Sequence, residues 1–218
     1  MRYIIANWKM NMNKEQVNSW LNEFSKLTSG KDLKSKVLLA PSFPYLEMVN
    51  DFCRENAYFC CAQNVSLFEK GAHTGYVGAF QIKDLCPYSI IGHSERNEET
   101  EAVIKKRDAC LQEGITPIVC FTQKEDWSKK QAQGALLAWE DPSNISQGGV
   151  YREKDPQEIE GAYKYFAQET AGSSIIYGGS VHRGNAPALA KIPNLGGALI
   201  GNASLDPQHF LDIISAFA

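Results

Sequence analysis

Three short polar groups, far apart along the chain, hold residue types that move protons and bind anions: Asn7 with Lys9, His93 with Ser94 and Glu95, and Glu140. A carboxylate facing a closed cavity gains proton affinity and can take a proton from carbon, while a histidine opposite it can give or polarise hydrogen bonds to a substrate oxygen. Lys9 can neutralise an anionic ligand. Nearer the C-terminus, Gly178-Gly179-Ser180 and Gly201-Asn202 leave room for backbone N–H groups to surround a phosphate dianion. Each feature has a plainer reading on its own: a solvated Glu140, a core His93 bonded to backbone, a surface Lys9, glycines that merely turn the chain. A joint meaning requires a scaffold that brings all five groups to one place.

The hydrophobic pattern supplies such a scaffold. β-branched and aliphatic runs begin near Tyr3, Val37, Tyr58, Ser89, Thr116, Ala135, Ser174 and Gly197. Between them apolar residues recur at helical spacing, as in Val17, Trp20, Leu21, Phe24 and Leu27, in Ile159, Ala162, Tyr163, Phe166 and Ala167, and in Phe210, Ile213, Ile214 and Phe217. Asp155, Pro156 and Glu158 supply a capping acceptor, a residue that needs no N–H and a first-turn carboxylate, so one helix starts near Pro156. Strands alternating with helices imply parallel pairing through right-handed crossovers, and eight such units in 218 residues average about 27 residues each. That is the pattern of an α/β protein, a closed (β/α)₈ barrel. An open doubly wound sheet is the alternative, but no GxGxxG follows the first run. In a barrel, reacting groups gather where strands end and loops begin. Asn7 and Lys9 follow the first run, His93 to Glu95 the fourth, Glu140 the sixth, and the two glycine groups the seventh and eighth. Strand alternation also aims Asn7 and Lys9 to one side and Trp8 to the other.

No composition shift, repeat or low-complexity tract divides residues 1–218, so a single domain is expected. The crossover between strands five and six is short: residues 122–134 allow roughly three helical turns at 1.5 Å per residue. Lys and Arg total 22 against 25 Asp and Glu, a net charge of −3, too nearly neutral for the positive field of a general nucleic-acid binder. The longest apolar stretches, such as Ile115-Thr116-Pro117-Ile118-Val119-Cys120, fall far short of the roughly 20 residues that span a bilayer. The chain enters strand-like sequence at Tyr3 without the zones of an export signal. Six cysteines lie scattered, with no CxxC, and read as buried thiols of a cytoplasmic protein rather than a disulfide framework or zinc site.

The motifs together resemble triosephosphate isomerase. The resemblance is carried, in order and end to end, by Asn7-Trp8-Lys9-Met10-Asn11, Ala62-Gln63-Asn64, Gly71-Ala72-His73-Thr74-Gly75, Ile91-Gly92-His93-Ser94-Glu95-Arg96, Tyr177-Gly178-Gly179-Ser180-Val181 and Ile200-Gly201-Asn202-Ala203-Ser204-Leu205. It implies interconversion of dihydroxyacetone phosphate and D-glyceraldehyde 3-phosphate, a step of glycolysis and gluconeogenesis, through an enediolate and without metal or organic cofactor. By the same resemblance Glu140 is the base and His93 the electrophile that shuttles protons. Asn7 and Lys9 stabilise developing negative charge, and Glu95 orients Lys9. A helix starting at Ser94-Glu95 would hold His93 neutral, and Ser146, Ser180, Gly201 and Asn202 would bind the phosphate.

The chain also departs from the family's pattern. In the phosphate-covering loop after Glu140, Asp141 stands where many members have Pro, Pro142 comes one place later, Ser143 replaces Trp and Ser146 replaces Gly. Tyr76 replaces the Glu that pairs with the family's arginine, here Arg96, across a dimer. Thr74 and its loop are otherwise suited to reach a neighbour, so a homodimer is expected. The altered loop keeps another reading open, a phosphate-binding relative that has lost catalysis and acts as a sensor or interaction protein. A barrel isomerase acting on a larger sugar phosphate is a third.

Overall fold

Apolar residues occupy both faces of nearly every strand, which is what a parallel sheet packed between an inner core and an outer helical layer requires. The computed structural model describes residues 1–123, 130, 133–144, 152–169 and 175–218. Its strands are β1 (Tyr3–Asn7), β2 (Lys36–Ala40), β3 (Phe59–Ala62), β4 (Tyr88–Ile91), β5 (Thr116–Phe121), β6 (Leu136–Trp139), β7 (Ile175–Tyr177) and β8 (Leu195–Ile200). All pair in parallel, each with its sequence neighbour, and β8 returns to β1 to close the barrel. Each starts within two residues of the position expected from the hydrophobic runs.

Alternation along the strands sorts the core into two shells. Ile5, Leu38, Cys61, Ile90, Ile118 and Leu199 fill the barrel interior. Their neighbours Ile4, Ala6, Val37, Leu39, Ile91 and Val119 face outward, where the helices cover them. α1 (Lys14–Thr28) begins with a reciprocal cap in which Asn13 Oδ1 accepts from the Gln16 N–H and Gln16 Oε1 from the Asn13 N–H, both at 2.9 Å. It buries Val17, Trp20, Leu21 and Phe24, the face its apolar spacing marks. α2 (Leu46–Glu55), α3 (Ala79–Ile82), α4 (Thr100–Gln112), α5 (Pro156–Glu169), α6 (Ala186–Leu189) and α7 (Pro207–Ala216) follow. α5 starts at Pro156 as Asp155 suggests, with Asp155 Oδ1 accepting from the Gln157 N–H at 2.8 Å. Residues 122–135 join β5 to β6; the helix expected there falls mostly outside the described residues.

No helix among the described residues is long and apolar enough to cross a membrane. All six cysteines are free and buried. Burial pushes the Cys53, Cys61, Cys110 and Cys120 thiols upward, Cys110 to about 12, which keeps them protonated and unreactive.

Closure depends on one close approach. Gly197 in β8 has φ +141°, and a Cβ there would lie 1.8 Å from the carbonyl oxygen of Tyr3 in β1. Gly197→Ala is therefore expected to destabilise the protein by about 3 kcal/mol or more, read from chemical denaturation. An unchanged midpoint would contradict so close a β1–β8 contact.

Candidate active site

Parallel closure puts the C-terminal ends of all the strands around one mouth, and the candidate residues meet there. β1 ends at Asn7. Trp8 turns outward onto Trp20 of α1, ring centroids 4.7 Å apart, and Lys9 adopts a left-handed backbone with φ +53°. Lys9 therefore faces the mouth because of a turn rather than because the strand continues. The turn is held from both sides: the Lys9 N–H donates to Asn7 Oδ1 at 3.2 Å, while its carbonyl accepts from Ser42 Oγ at 2.9 Å and Gln63 Nε2 at 3.0 Å. Its Nζ reaches Glu95 Oε1 at 2.5 Å. The same side chain crosses the end of β8, where a Cβ on Gly201 would lie 3.2 Å from Lys9 Cε. Glycine leaves Lys9 its path.

His93 follows β4. The segment after it is a single 3₁₀ turn, Ser94–Arg96, closed by Asn97 in the left-handed conformation, and α4 begins only at Thr100. The helix start expected at Ser94-Glu95 is present as this one 3₁₀ turn, with His93 at its N-cap. The turn still delivers the needed donor: the Glu95 N–H points at His93 Nδ1, 3.3 Å away. With Nδ1 accepting, the ring proton sits on Nε2, and Nε2 lies 3.1 Å from Glu140 Oε1.

Glu140, at the end of β6, is 1% exposed. Its Oε2 accepts from the Ser94 N–H at 2.9 Å and its Oε1 from Ser94 Oγ at 2.9 Å. Three donors thus stabilise a desolvated carboxylate. Ser94, to which the sequence alone assigns no task, is its main anchor. Only a fold that sets β4 and β6 on either side of β5 reveals that contact. Asn7, Lys9, His93 and Glu95 line a cavity of about 360 Å³ together with Gln63 and Arg96, and Glu140 adjoins it through His93.

The phosphate candidates are placed less uniformly. Gly201 precedes the 3₁₀ turn Asn202–Leu205, beside Lys9, with Asn202 exposed. Ser180 is 3% exposed and engaged: its N–H and Oγ both donate to the Asn144 carbonyl, at 2.8 and 2.9 Å, and Oγ accepts from the Arg152 N–H at 3.0 Å. An anion would have to compete for those donors. Ser146 lies outside the described residues.

Arg96 is paired within its own chain. Its Nε lies 2.7 Å from Glu98 Oε1. The same oxygen lies 2.5 Å from Lys106 Nζ, which also donates to Asn64 Oδ1 at 2.8 Å. Burial alone would raise the Glu98 carboxyl, but Lys106 and Arg96 hold it below its ordinary value.

A closed (β/α)₈ barrel whose mouth links an ammonium, an imidazole and a buried carboxylate is built as an enzyme of proton transfer on small anions. The family model for triosephosphate isomerase matches residues 2–217, and the chain belongs to that family. It is similar to the triosephosphate isomerase of Polynucleobacter asymbioticus (33% identical, covering 98% of both chains). It is also similar to those of Thermus thermophilus (31%, covering 97% of this chain and 96% of the relative) and Thermodesulfovibrio yellowstonii (33%, 98% of both). The chain is an isomerase that interconverts dihydroxyacetone phosphate and D-glyceraldehyde 3-phosphate.

Glu95 is 52% exposed in its side chain, so its ion pair with Lys9 adds at most about 1 kcal/mol to stability. Glu95→Gln is expected to leave the melting temperature nearly unchanged while lowering kcat/KM roughly tenfold by loosening Lys9. Equal kcat/KM in the two proteins would remove Glu95 from the site.

Proposed function

We propose that residues 1–218 act as one catalytic unit in which Glu140 is the base, His93 the electrophile and proton shuttle, and Asn7 with Lys9 the stabilisers of developing negative charge. The observation that carries this reading is the continuous line Lys9–Glu95–His93–Glu140, with a contact at every step. Glu140 rests on Ser94 and His93. To act it must exchange those donors for the proton on carbon beside the substrate carbonyl, which leaves an enediolate, and it completes the isomerisation by returning a proton to the neighbouring carbon. The Nε2–H of His93 then faces the two substrate oxygens in turn, giving a proton to one and taking it from the other. The Lys9 ammonium and Asn7 amide stabilise the negative oxygen as it forms, in a mouth that bound substrate would desolvate.

The phosphate end is assigned to the backbone N–H groups at Gly201 and Asn202, beside Lys9, with Ser180 and Ser146 completing the shell. Gly201 lies close against the Lys9 side chain, which would set the ammonium beside an anion held at that strand end. Nothing favours a sensor without catalysis, because every member of the reacting set stands in linked geometry. In a coupled assay with purified protein, Glu140→Gln is expected to lower kcat by roughly 10²-fold or more while the barrel stays folded. Turnover near that of the parent would overturn the assignment of the base.

We further assign the Thr74 loop to a homodimer contact. Phe68 stacks on His73 with ring centroids 4.2 Å apart, and Tyr76 packs edge-on against Phe68 at 5.4 Å. This ordered knob keeps Tyr76 56% exposed beside a cavity of about 320 Å³ lined by Phe43, Asn64, Thr74 and Arg96. A rigid aromatic next to a hollow is suited to exchange with another copy of the chain. A cytoplasmic setting fits the six free thiols. Tyr76→Asp is expected to shift the particle in sedimentation velocity from two chains to one. A parent protein that already sediments as one chain would refute the dimer.

A further inference from the structure

The residue after Glu140 carries a further carboxylate that the proposed reaction does not use. Asp141 is 14% exposed in its side chain, and its Oδ2 lies 2.6 Å from Nζ of Lys154, which is 19% exposed. The other oxygen, Oδ1, accepts from the Ser143 N–H at 3.0 Å and from Ser143 Oγ at 2.6 Å. Further bonds tie the same pieces of chain together. The Asn144 N–H donates to the Asp141 carbonyl at 2.9 Å, Asn144 Nδ2 donates to the Arg152 carbonyl at 3.2 Å, and Ser180 bridges Asn144 and Arg152. Residues 141–144, 152–154 and Ser180 therefore form one hydrogen-bonded unit with an ion pair at its edge.

That unit is the anchor on one side of the base. On the N-terminal side the sheet fixes Glu140, whose N–H donates to the Phe121 carbonyl at 2.9 Å. On the C-terminal side the chain leaves the barrel, and the Asp141 unit takes over. The side chain between has little slack, since a Cβ on Gly178 would come within 2.9 Å of Glu140 Cγ. A small backbone shift at Asp141 must then move the carboxylate, and misplacement by about 1 Å costs an enzyme on the order of 10²-fold.

We propose that Asp141 and Lys154 are a positioning pair for the isomerase reaction: their ion pair fixes the backbone after Glu140 and so sets where its carboxylate lies between Ser94 and the substrate cavity. The proposal rests on the reading of Glu140 as the base. A largely desolvated pair is worth more than an exposed one, and removing one partner strands the other. Burial works against the Asp141 charge, but Lys154 and Ser143 hold its carboxyl below the ordinary value. The hydrogen bond to Asp141 raises the Lys154 ammonium, with Glu158 adding to that pull. Both groups therefore keep their charges through the neutral range.

Steady-state kinetics on Asp141→Asn, Lys154→Met, the reversed pair Asp141→Lys with Lys154→Asp, and Lys154→Arg test the assignment, with Glu140→Gln run alongside. Turnover is expressed per folded molecule. Each single neutralising change is expected to lower kcat about tenfold while KM moves less than threefold. Lys154→Arg should keep most of kcat, and the reversed pair should recover at least half of the loss on a logarithmic scale. Parent-like kcat in both neutralising variants, a change in KM alone, or no recovery in either charge-retaining variant would overturn the pair. If Glu140→Gln kills turnover while the neutralising variants do not change it, only the positioning proposal fails. If Glu140→Gln stays active, the base assignment fails first.

Discussion

Hydrogen bonding of β1 to β8 is the constraint on which the mouth of the barrel depends. β1 pairs with β2 on one side and with β8 on the other, Ile5 lying opposite Leu38 and Leu199. Its last residues carry Asn7 and lead into Lys9. The end of β8 carries Gly201, which lies against the Lys9 side chain. Without closure, the Lys9 ammonium from the start of the chain and Gly201 from its end would sit at opposite edges of an open sheet. The glycine that permits the approach, Gly197, lies in the first half of β8, away from the mouth. It matters through geometry alone.

Within the mouth, burial makes each polar group depend on the next. A carboxylate as enclosed as Glu140 is tolerable only because the Ser94 amide and hydroxyl and the His93 ring donate to it. His93 can donate from Nε2 only because the Glu95 N–H occupies Nδ1, and that N–H is aimed by the 3₁₀ turn. Glu95 in turn uses its side chain for Lys9. The turn after β4 thus supplies a backbone donor to the Glu140 carboxylate, a backbone donor to the imidazole and a carboxylate to the ammonium, all within three residues. Their chemical types differ, but one backbone conformation places them.

What the sequence disclosed follows the range of the forces involved. Strand and helix positions depend on periodicities readable within a dozen residues, and Asp155 before Pro156 marks a helix start by its own capping bond. Trp8 and Lys9 separate to opposite sides as alternation suggests, yet alternation is only half of the cause: the strand ends at Asn7, and Ser42 and Gln63, from the next two loops, hold the left-handed turn at Lys9. Contacts made across the barrel have no local signature. Ser94 meets Glu140 across 46 positions of sequence, and Ser180 meets Asn144 across 36. Judged by its sequence neighbours alone, Ser94 has no function and Ser180 is free to bind an anion; the barrel gives both of them partners. The helix start expected after His93 came from the resemblance, and the chain keeps it for one 3₁₀ turn that Asn97 ends in the left-handed conformation before α4 begins.

Arg96 finds its carboxylate close by. Tyr76 offers none, and the Arg96 side chain, 46% exposed, is paired within its own chain. Glu98, two residues on, meets it. Glu98 is shared with Lys106, and burial pushes the Lys106 ammonium down while Glu98 pulls the other way. Two cations on one carboxylate leave the group with a net positive charge, balanced in part by the Asn64 amide oxygen on Lys106. That residual charge lies beside the mouth, since Arg96 lines both the substrate cavity and the hollow next to Tyr76. Tyr76 thus gives this loop an exposed aromatic, while Arg96 leaves a positive edge beside the cavity that Asn7, Lys9 and His93 line.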